Sequence, residues 1–247
     1  MRAATQQWVE RMEKADMGKI VVVDYSVVHP TLAMLKSANV GVVGRYFGQG
    51  SPPKNLTKAE AELLSNNNIA IFNIFEYGAQ QATGGAAQAK SDVHLFRAQR
   101  DEIGAPYKPC YFAVDFDIPD YAPSLPDTPA NAKAKLGPIG EYFGYIRNQM
   151  GADAGGYGGY WLIKRLFDAD LISWGFQTIA WSGGQWDSRA QLRQTGATDL
   201  GNEADVDVPE RTDFGQWTLD PPKPKPTGTS KADALKAAEL VVEYLKQ

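Results

Sequence analysis

Carboxylates at regular spacing are the residues of this sequence most able to do chemistry. The run CYFAVDFDIPD, residues 110–120, carries Asp115 and Asp117 behind five apolar residues. Residues two apart share a face of an extended chain, so both acids are expected to enter one pocket. Two like charges side by side resist joint ionisation. Other apolar runs also end in acids: IVVVD in Asp24, IAIFNIFE in Glu76, and ADVDV supplies Asp205 and Asp207. Glycoside hydrolysis needs such pairs. One carboxyl protonates the leaving oxygen, and the other attacks, stabilises the oxocarbenium-like centre or activates water. Crowding raises at least one pKa and keeps a proton available near neutrality. A divalent cation held by the Asp pairs is a second use for the same acids.

Polar and aromatic residues accompany them. VGVVGRY ends in Arg45 and Tyr46, and Tyr77 follows Glu76. GGYGGY offers Tyr157, WGFQTIAW offers Gln177 and Trp181, and QLRQT offers Gln194. Taken singly, such acids are helix caps or turn formers and such aromatics are core. Taken together they describe an acidic, aromatic-lined cleft, which suits a carbohydrate.

The elements that must position these residues alternate from Lys19 to about residue 208. IVVVDYS reads as a strand covered on both faces, and PTLAMLKSAN as a helix with Pro30 in its first turn. VGVVGRYFG is a second strand. Thr57 and Glu60 form a T-x-x-E capping box opening the helix KAEAELLSNN. IAIFNIFEYG is a third strand, and ATGGAAQ leads into a long helix ending near Ile103. CYFAVDFD is the fourth strand. After a proline-rich loop, one helix is expected over about Ala130 to Met150. GGYGGY, WGFQTIAWSGG, QLRQT and ADVDV supply the remaining strands, with a helix through Phe167 after the first of these. The pattern predicts an α/β fold, a small TIM-like (β/α)8 barrel whose strand C-termini line the site. No G-x-G-x-x-G follows the first strand, as an open dinucleotide-binding sheet would require.

In their order, DYS, VGRYFG, the T-x-x-E helix, IFEYG, GAAQAKSD…IGAP, YFAVDFD, QTIAWSGG, LRQT and ADVD make the chain resemble the DUF1906 group. These are the glycoside-hydrolase-like (Rv2525c-like) domains, similar to the family 25 lysozyme barrels, and the resemblance spans about residues 19–210. It implies a TIM-like barrel with an acidic pocket acting on peptidoglycan or a related cell-wall polysaccharide. In the lysozymes the fourth strand ends in D-x-E, whose glutamate donates the proton. Here the triplet is Asp115-Phe116-Asp117, so the donor position holds the shorter aspartate. Asp24 matches the first-strand aspartate, Asp205 or Asp207 that of the last strand, and Gln194 a glutamine before it. A displacement near 1 Å can cost about a hundredfold in rate, so Glu76 or Asp117 is expected as donor, with Asp115 and Asp24 as partners. The alternative is a silent glycan-binding or structural module. Such domains occur in actinobacterial secreted proteins and in phage lysins or tail proteins.

Composition bounds the rest. The chain has 247 residues and a net charge of −4 with no basic block, which argues against nucleic acid as a partner. Its one cysteine, Cys110, reads as a buried, inert thiol. With only His29 and His94, a multi-histidine metal site is hard to build, so no metal or cofactor is expected, and a metal-dependent deacetylase is disfavoured. No apolar run reaches membrane-spanning length. The first 20 residues lack the apolar core of a secretory signal, so synthesis in the cytoplasm and phage-type or non-classical release to the cell wall are expected. The organisation reads as a helical arm (1–17), a barrel (18–220), a proline-rich linker (221–230) and an amphipathic helix (231–247). That helix could dock, self-associate or lead to a further module.

Overall fold

The computed structural model describes residues 20–50, 52–120, 128–197, 200 and 204–220. The expected arm, linker and C-terminal helix lie outside the described residues, as does most of the proline-rich loop. Eight strands close into a barrel in sequence order. They are β1 (Val21–Tyr25), β2 (Val40–Phe47), β3 (Ala70–Phe75), β4 (Cys110–Ala113), β5 (Ala154–Gly158), β6 (Trp174–Thr178), β7 (Leu192–Ala197) and β8 (Ala204–Pro209). The helices are α1 (Leu32–Ser37), α2 (Lys58–Asn66), α3 (Gly85–Ile103), α4 (Pro129–Leu136), α5 (Pro138–Met150) and α6 (Tyr160–Asp168). The result is an irregular TIM-like barrel. Helices follow the first five strands, and none links β6 to β7 or β7 to β8 among the described residues.

The strand alternation sorts side chains into two layers. Val22, Val42, Phe72, Ile74, Tyr111, Phe176 and Leu192 point inward and form one cluster with Phe214. Val23, Val43, Ile71, Phe75 and Phe112 point outward and pack with Leu64, Val93, Phe96, Ile146 and Leu162 of the helices. Phe72 meets Tyr111, Phe176 and Phe214 edge-on, with ring centroids 5.7–6.0 Å apart. This layer plugs the barrel below its upper end. Gly44 makes the inner packing possible: a Cβ there would stand 2.4 Å from Phe72 and 2.7 Å from the Asp24 Cβ.

Four expectations are corrected. The helix over 130–150 is two helices, because Gly137, at φ 52° and ψ −130°, breaks it before Pro138, and proline disfavours helical backbone in the residue before it. Helix α1 is capped by Thr31, whose Oγ1 accepts from Met34 N at 3.2 Å, so Pro30 lies outside it. Thr57 caps α2 as expected, accepting from Glu60 N at 3.2 Å. The carboxylate of Glu60, however, bonds Arg45 and Tyr25 rather than closing the box. Finally, β8 is antiparallel to both neighbours, with Asp24 opposite Asp205 and Val22 opposite Asp207. Its acids therefore enter from the start of the strand. Asp205 stands at the barrel mouth, and Asp207 lies one layer deeper.

Candidate active site

A small cavity of about 140 Å³ opens at the C-terminal ends of the parallel strands. Its wall is Tyr46, Glu76, Asp115, Tyr157, Gln194 and Asp205, over a floor of Ile74, Ala113 and Phe176. One hydrogen-bonded chain ties the wall to a buried acid. Tyr157 donates to Gln194 Oε1 at 2.7 Å, and Gln194 Nε2 donates to Asp24 Oδ2 at 2.9 Å and Asp205 Oδ2 at 3.1 Å. Tyr46 donates to Asp24 Oδ1 at 2.7 Å. Lys54 Nζ stands 2.6 Å from Glu76 Oε2 and 5.1 Å from the centre of the Tyr46 ring.

The acids differ in surroundings. Burial pushes Asp24 up to about 7 against the pull of the Tyr46 hydrogen bond, with the Asp205 charge adding to the rise. Burial also raises Asp115, helped by the charge of Glu76 and opposed by Lys54. Asp205 is raised by burial. Asp207 is raised well above the usual carboxylate range by burial and by the charges of Asp24 and Asp205. Its two oxygens have no hydrogen-bond partner among the described residues, so the neutral acid is the form its surroundings favour. Burial likewise raises the Tyr46 and Tyr157 hydroxyls well above their ordinary value, and both remain O–H donors. The pocket thus holds acids of unequal proton affinity beside two fixed hydroxyls, which is equipment for proton transfer to and from oxygen.

Residues 33–211 match the family model described as Rv2525c-like, glycoside hydrolase-like domain. The chain belongs to this family. It is similar in structure to the Tat-secreted protein Rv2525c of Mycobacterium tuberculosis, with a TM-score of 0.69 and 21% identity over 80% of this chain and 98% of that one. An uncharacterized B. stearothermophilus protein shares the fold more distantly, with a TM-score of 0.52 and 12% identity over 78% of this chain and 96% of that one. No curated protein matches the chain in sequence.

In this glycoside hydrolase-like barrel, eight of the thirteen residues singled out from the sequence face inward: Asp24, Tyr46, Glu76, Asp115, Tyr157, Gln194, Asp205 and Asp207. The other five lie elsewhere. Strand β4 ends at Ala113, so strict alternation stops before the acids, and Asp117 is exposed in the following loop. Arg165 holds that loop through Pro119 O at 2.8 Å and Asp120 Oδ1 at 2.5 Å. Arg45 points outward from β2 and is fully buried. Tyr77 also turns outward, donating to Asp92 Oδ1 at 3.1 Å. Gln177 is on the outer face of β6, where it donates to Gln185 O at 2.8 Å and accepts from Asp187 N at 3.0 Å. Trp181, at φ 55°, is 38% exposed on the loop after β6 and does not line the cavity.

Sequence reasoning passed over Ile74 and Phe176, although Ile74 lies two residues before Glu76 on the inward parity and Phe176 is next to Gln177. It had no signal for Lys54, which arrives from the loop after β2. Among the described residues no three His, Cys, Asp or Glu are grouped to hold a metal ion, and no helix is long and apolar enough to cross a membrane.

Proposed function

We propose that this domain is a glycosidase cleaving peptidoglycan or a related cell-wall polysaccharide by carboxylate acid/base catalysis. The observation that carries this reading is the pair Asp115 and Glu76, two carboxyls on one pocket in opposite surroundings. Asp115 is raised by burial and by its acidic neighbour, whereas Glu76 is ion-paired to Lys54. Divergent environments assign acid and base roles. Asp115 is the proton donor to the leaving oxygen, and Glu76 is the carboxylate that stabilises the developing cation, attacks it or activates water. Asp24, Asp205, Tyr46 and Gln194 orient sugar hydroxyls and tune this pair. The sequence pointed to Glu76 or Asp117 as donor; the role passes to Asp115 because Asp117 is exposed outside the pocket and Glu76 is held by a lysine.

A cavity of about 140 Å³ has room for a few waters at about 30 Å³ each. It therefore takes part of one sugar ring, with the polymer lying across the mouth. The family's glycoside hydrolase-like description supports the reaction class, and the Tat secretion of the similar Rv2525c supports a place of action at the cell wall. The test is release of reducing ends from purified wall preparations. Turnover by the parent and none by Asp115→Asn or Glu76→Gln, with the fold intact, is the expected result. If the parent releases none from any preparation, the reading fails.

A second reading, a silent glycan-binding module, draws on the same pocket. Asp24 has both oxygens engaged, Glu76 is locked to Lys54, and the D-x-D triplet sends Asp117 outward. Wall binding without turnover, unchanged in Asp115→Asn, is its signature.

A further inference from the structure

Arg45 is the residue that the pocket leaves unexplained. It is fully buried outside the barrel wall, where an unpaired guanidinium would be prohibitive. Its fork closes on Glu60, Nε to Oε1 at 2.7 Å and Nη2 to Oε2 at 3.2 Å. Nη1 donates to the Tyr25 carbonyl. Nη2 also donates to Pro53 O at 3.0 Å. His29 Nε2 lies 2.7 Å from that same Pro53 oxygen and 3.0 Å from Arg45 Nη2, while its Nδ1 lies 3.5 Å from Glu60. The guanidinium donates to the carbonyl immediately before Lys54, and the imidazole packs against both. On its other side Asn55 is fixed by Nδ2 to Gly48 O at 2.8 Å, and Leu56 N donates to Tyr46 O at 2.8 Å. A loop held at both ends delivers one ammonium to Glu76 and the Tyr46 ring.

We propose that Lys54 is a positioning residue for the two pocket carboxyls Glu76 and Asp115, and that the Arg45–Glu60–His29 cluster on the outer face of the barrel is its mount. A buried ion pair is often no gain in stability over apolar packing, so a structural role alone leaves this one without a purpose. Its placement gives it one: a planar guanidinium can hold a carboxylate and a loop carbonyl at once, which a lysine cannot. Among the described residues, this loop carries the only cation that acts on Asp115. Glu76 and Asp205 are the acidic groups around Asp115, with the Tyr46 and Tyr157 hydroxyls, and Lys54 is the charge that opposes them.

The experiment is carbon-detected NMR titration of the side-chain carboxyls of Asp115 and Glu76 in the full chain, without substrate. Where two carboxyls interact, apparent midpoints belong to the pair, so the quantity read is the sum of the two. Lys54→Met is expected to raise that sum by about 1 pH unit, the low end of what a neighbouring opposite charge does. Arg45→Lys is expected to raise it by a smaller amount, and to add nothing in the Lys54→Met background, because it acts through Lys54. His29→Ala, at a side chain 31% exposed, does the same more weakly and keeps the test alive if Arg45→Lys does not fold. An unchanged sum in Lys54→Met overturns the proposal, as does an outer-face substitution whose shift persists without Lys54. None of these readings needs turnover. Only the consequence for rate, an alkaline limb moved to higher pH in Lys54→Met, rests on the glycosidase reading, so the two can fail separately.

Discussion

Arg45 and Tyr46 are neighbours in sequence and lie on opposite sides of the barrel wall. Tyr46 points inward and donates to Asp24 in the pocket; Arg45 points outward and closes on Glu60 and the carbonyls of Tyr25 and Pro53. The same division recurs along the wall. Glu76 lines the cavity while Tyr77 turns to Asp92, and Phe176 floors it while Gln177 holds the loop around Asp187. These outer-face groups, Arg45, Tyr77 and Gln177, find their partners within the protein. Inner-face acids share too few donors, and Glu76, Asp115 and Asp205 keep one side toward the mouth. One face of a strand spends its polar groups on architecture, and the other leaves them available to a ligand.

Substitutions on the two faces should therefore separate in what they change. Asp115→Asn is expected to lower turnover by about 10²–10⁴-fold, the usual worth of a positioned acid, while its urea midpoint stays within about 0.5 kcal/mol of the parent. An unfolded variant would break the comparison at its inner face. Arg45→Met should do the reverse in kind, with a loss of about 3 kcal/mol or more in urea unfolding, because Glu60 is left charged and largely enclosed. A stable Arg45→Met would show that the outer cluster is dispensable to the fold.

Asp24 sharpens the comparison through pH. Its folded value, about 7, lies above its ordinary value of 3.8. The folded state thus holds this proton more tightly than the unfolded one, so its stabilising contribution is full below about pH 4. That contribution is lost progressively as pH rises toward 7 and stays lost above it. Asp24→Asn, which cannot ionise, should gain on the parent by a few kcal/mol between pH 4 and 7, measured as the difference between their denaturation midpoints across pH. A constant difference would mean that Asp24 is not the group responsible. The smallest effect is expected at Asp117→Asn, exposed beyond β4: turnover within about twofold and stability within about 0.5 kcal/mol. A large loss of turnover there would return the proton donor to the family 25 position.

Apart from the break at Gly137 that divides α4 from α5, the order of strands and helices through α6 was legible because the βα pattern repeats clearly there, and most of the acids could be found because they close apolar runs. Which of them share the pocket was legible only inside strands. Tyr46 and Glu76 follow the inward parity of Val42 and Ile74, and Arg45 and Tyr77 fall on the other parity, so period two separates them before any coordinate does. The direction of β8 was also within reach. Only eight residues separate QLRQT from ADVDV, too few for the crossover that a parallel strand needs.

The sequence by itself determined the barrel class, the alternation that gives each strand two faces, and the supply of carboxylates. Those are local properties, set by side-chain type and by the geometry of an extended chain. Tertiary structure decided the rest. The end of β4 at Ala113 depends on pairing with β3 and β5, and it sends Asp115 and Asp117 to different places. The depth of Asp207 depends on how β8 closes the barrel against β1. Lys54 meets Glu76 because the loop that carries it is held by an outward-facing buried arginine on one side and by Asn55 and Leu56 on the other. Each is a contact between residues distant in sequence, and its energy exists only once the barrel is closed.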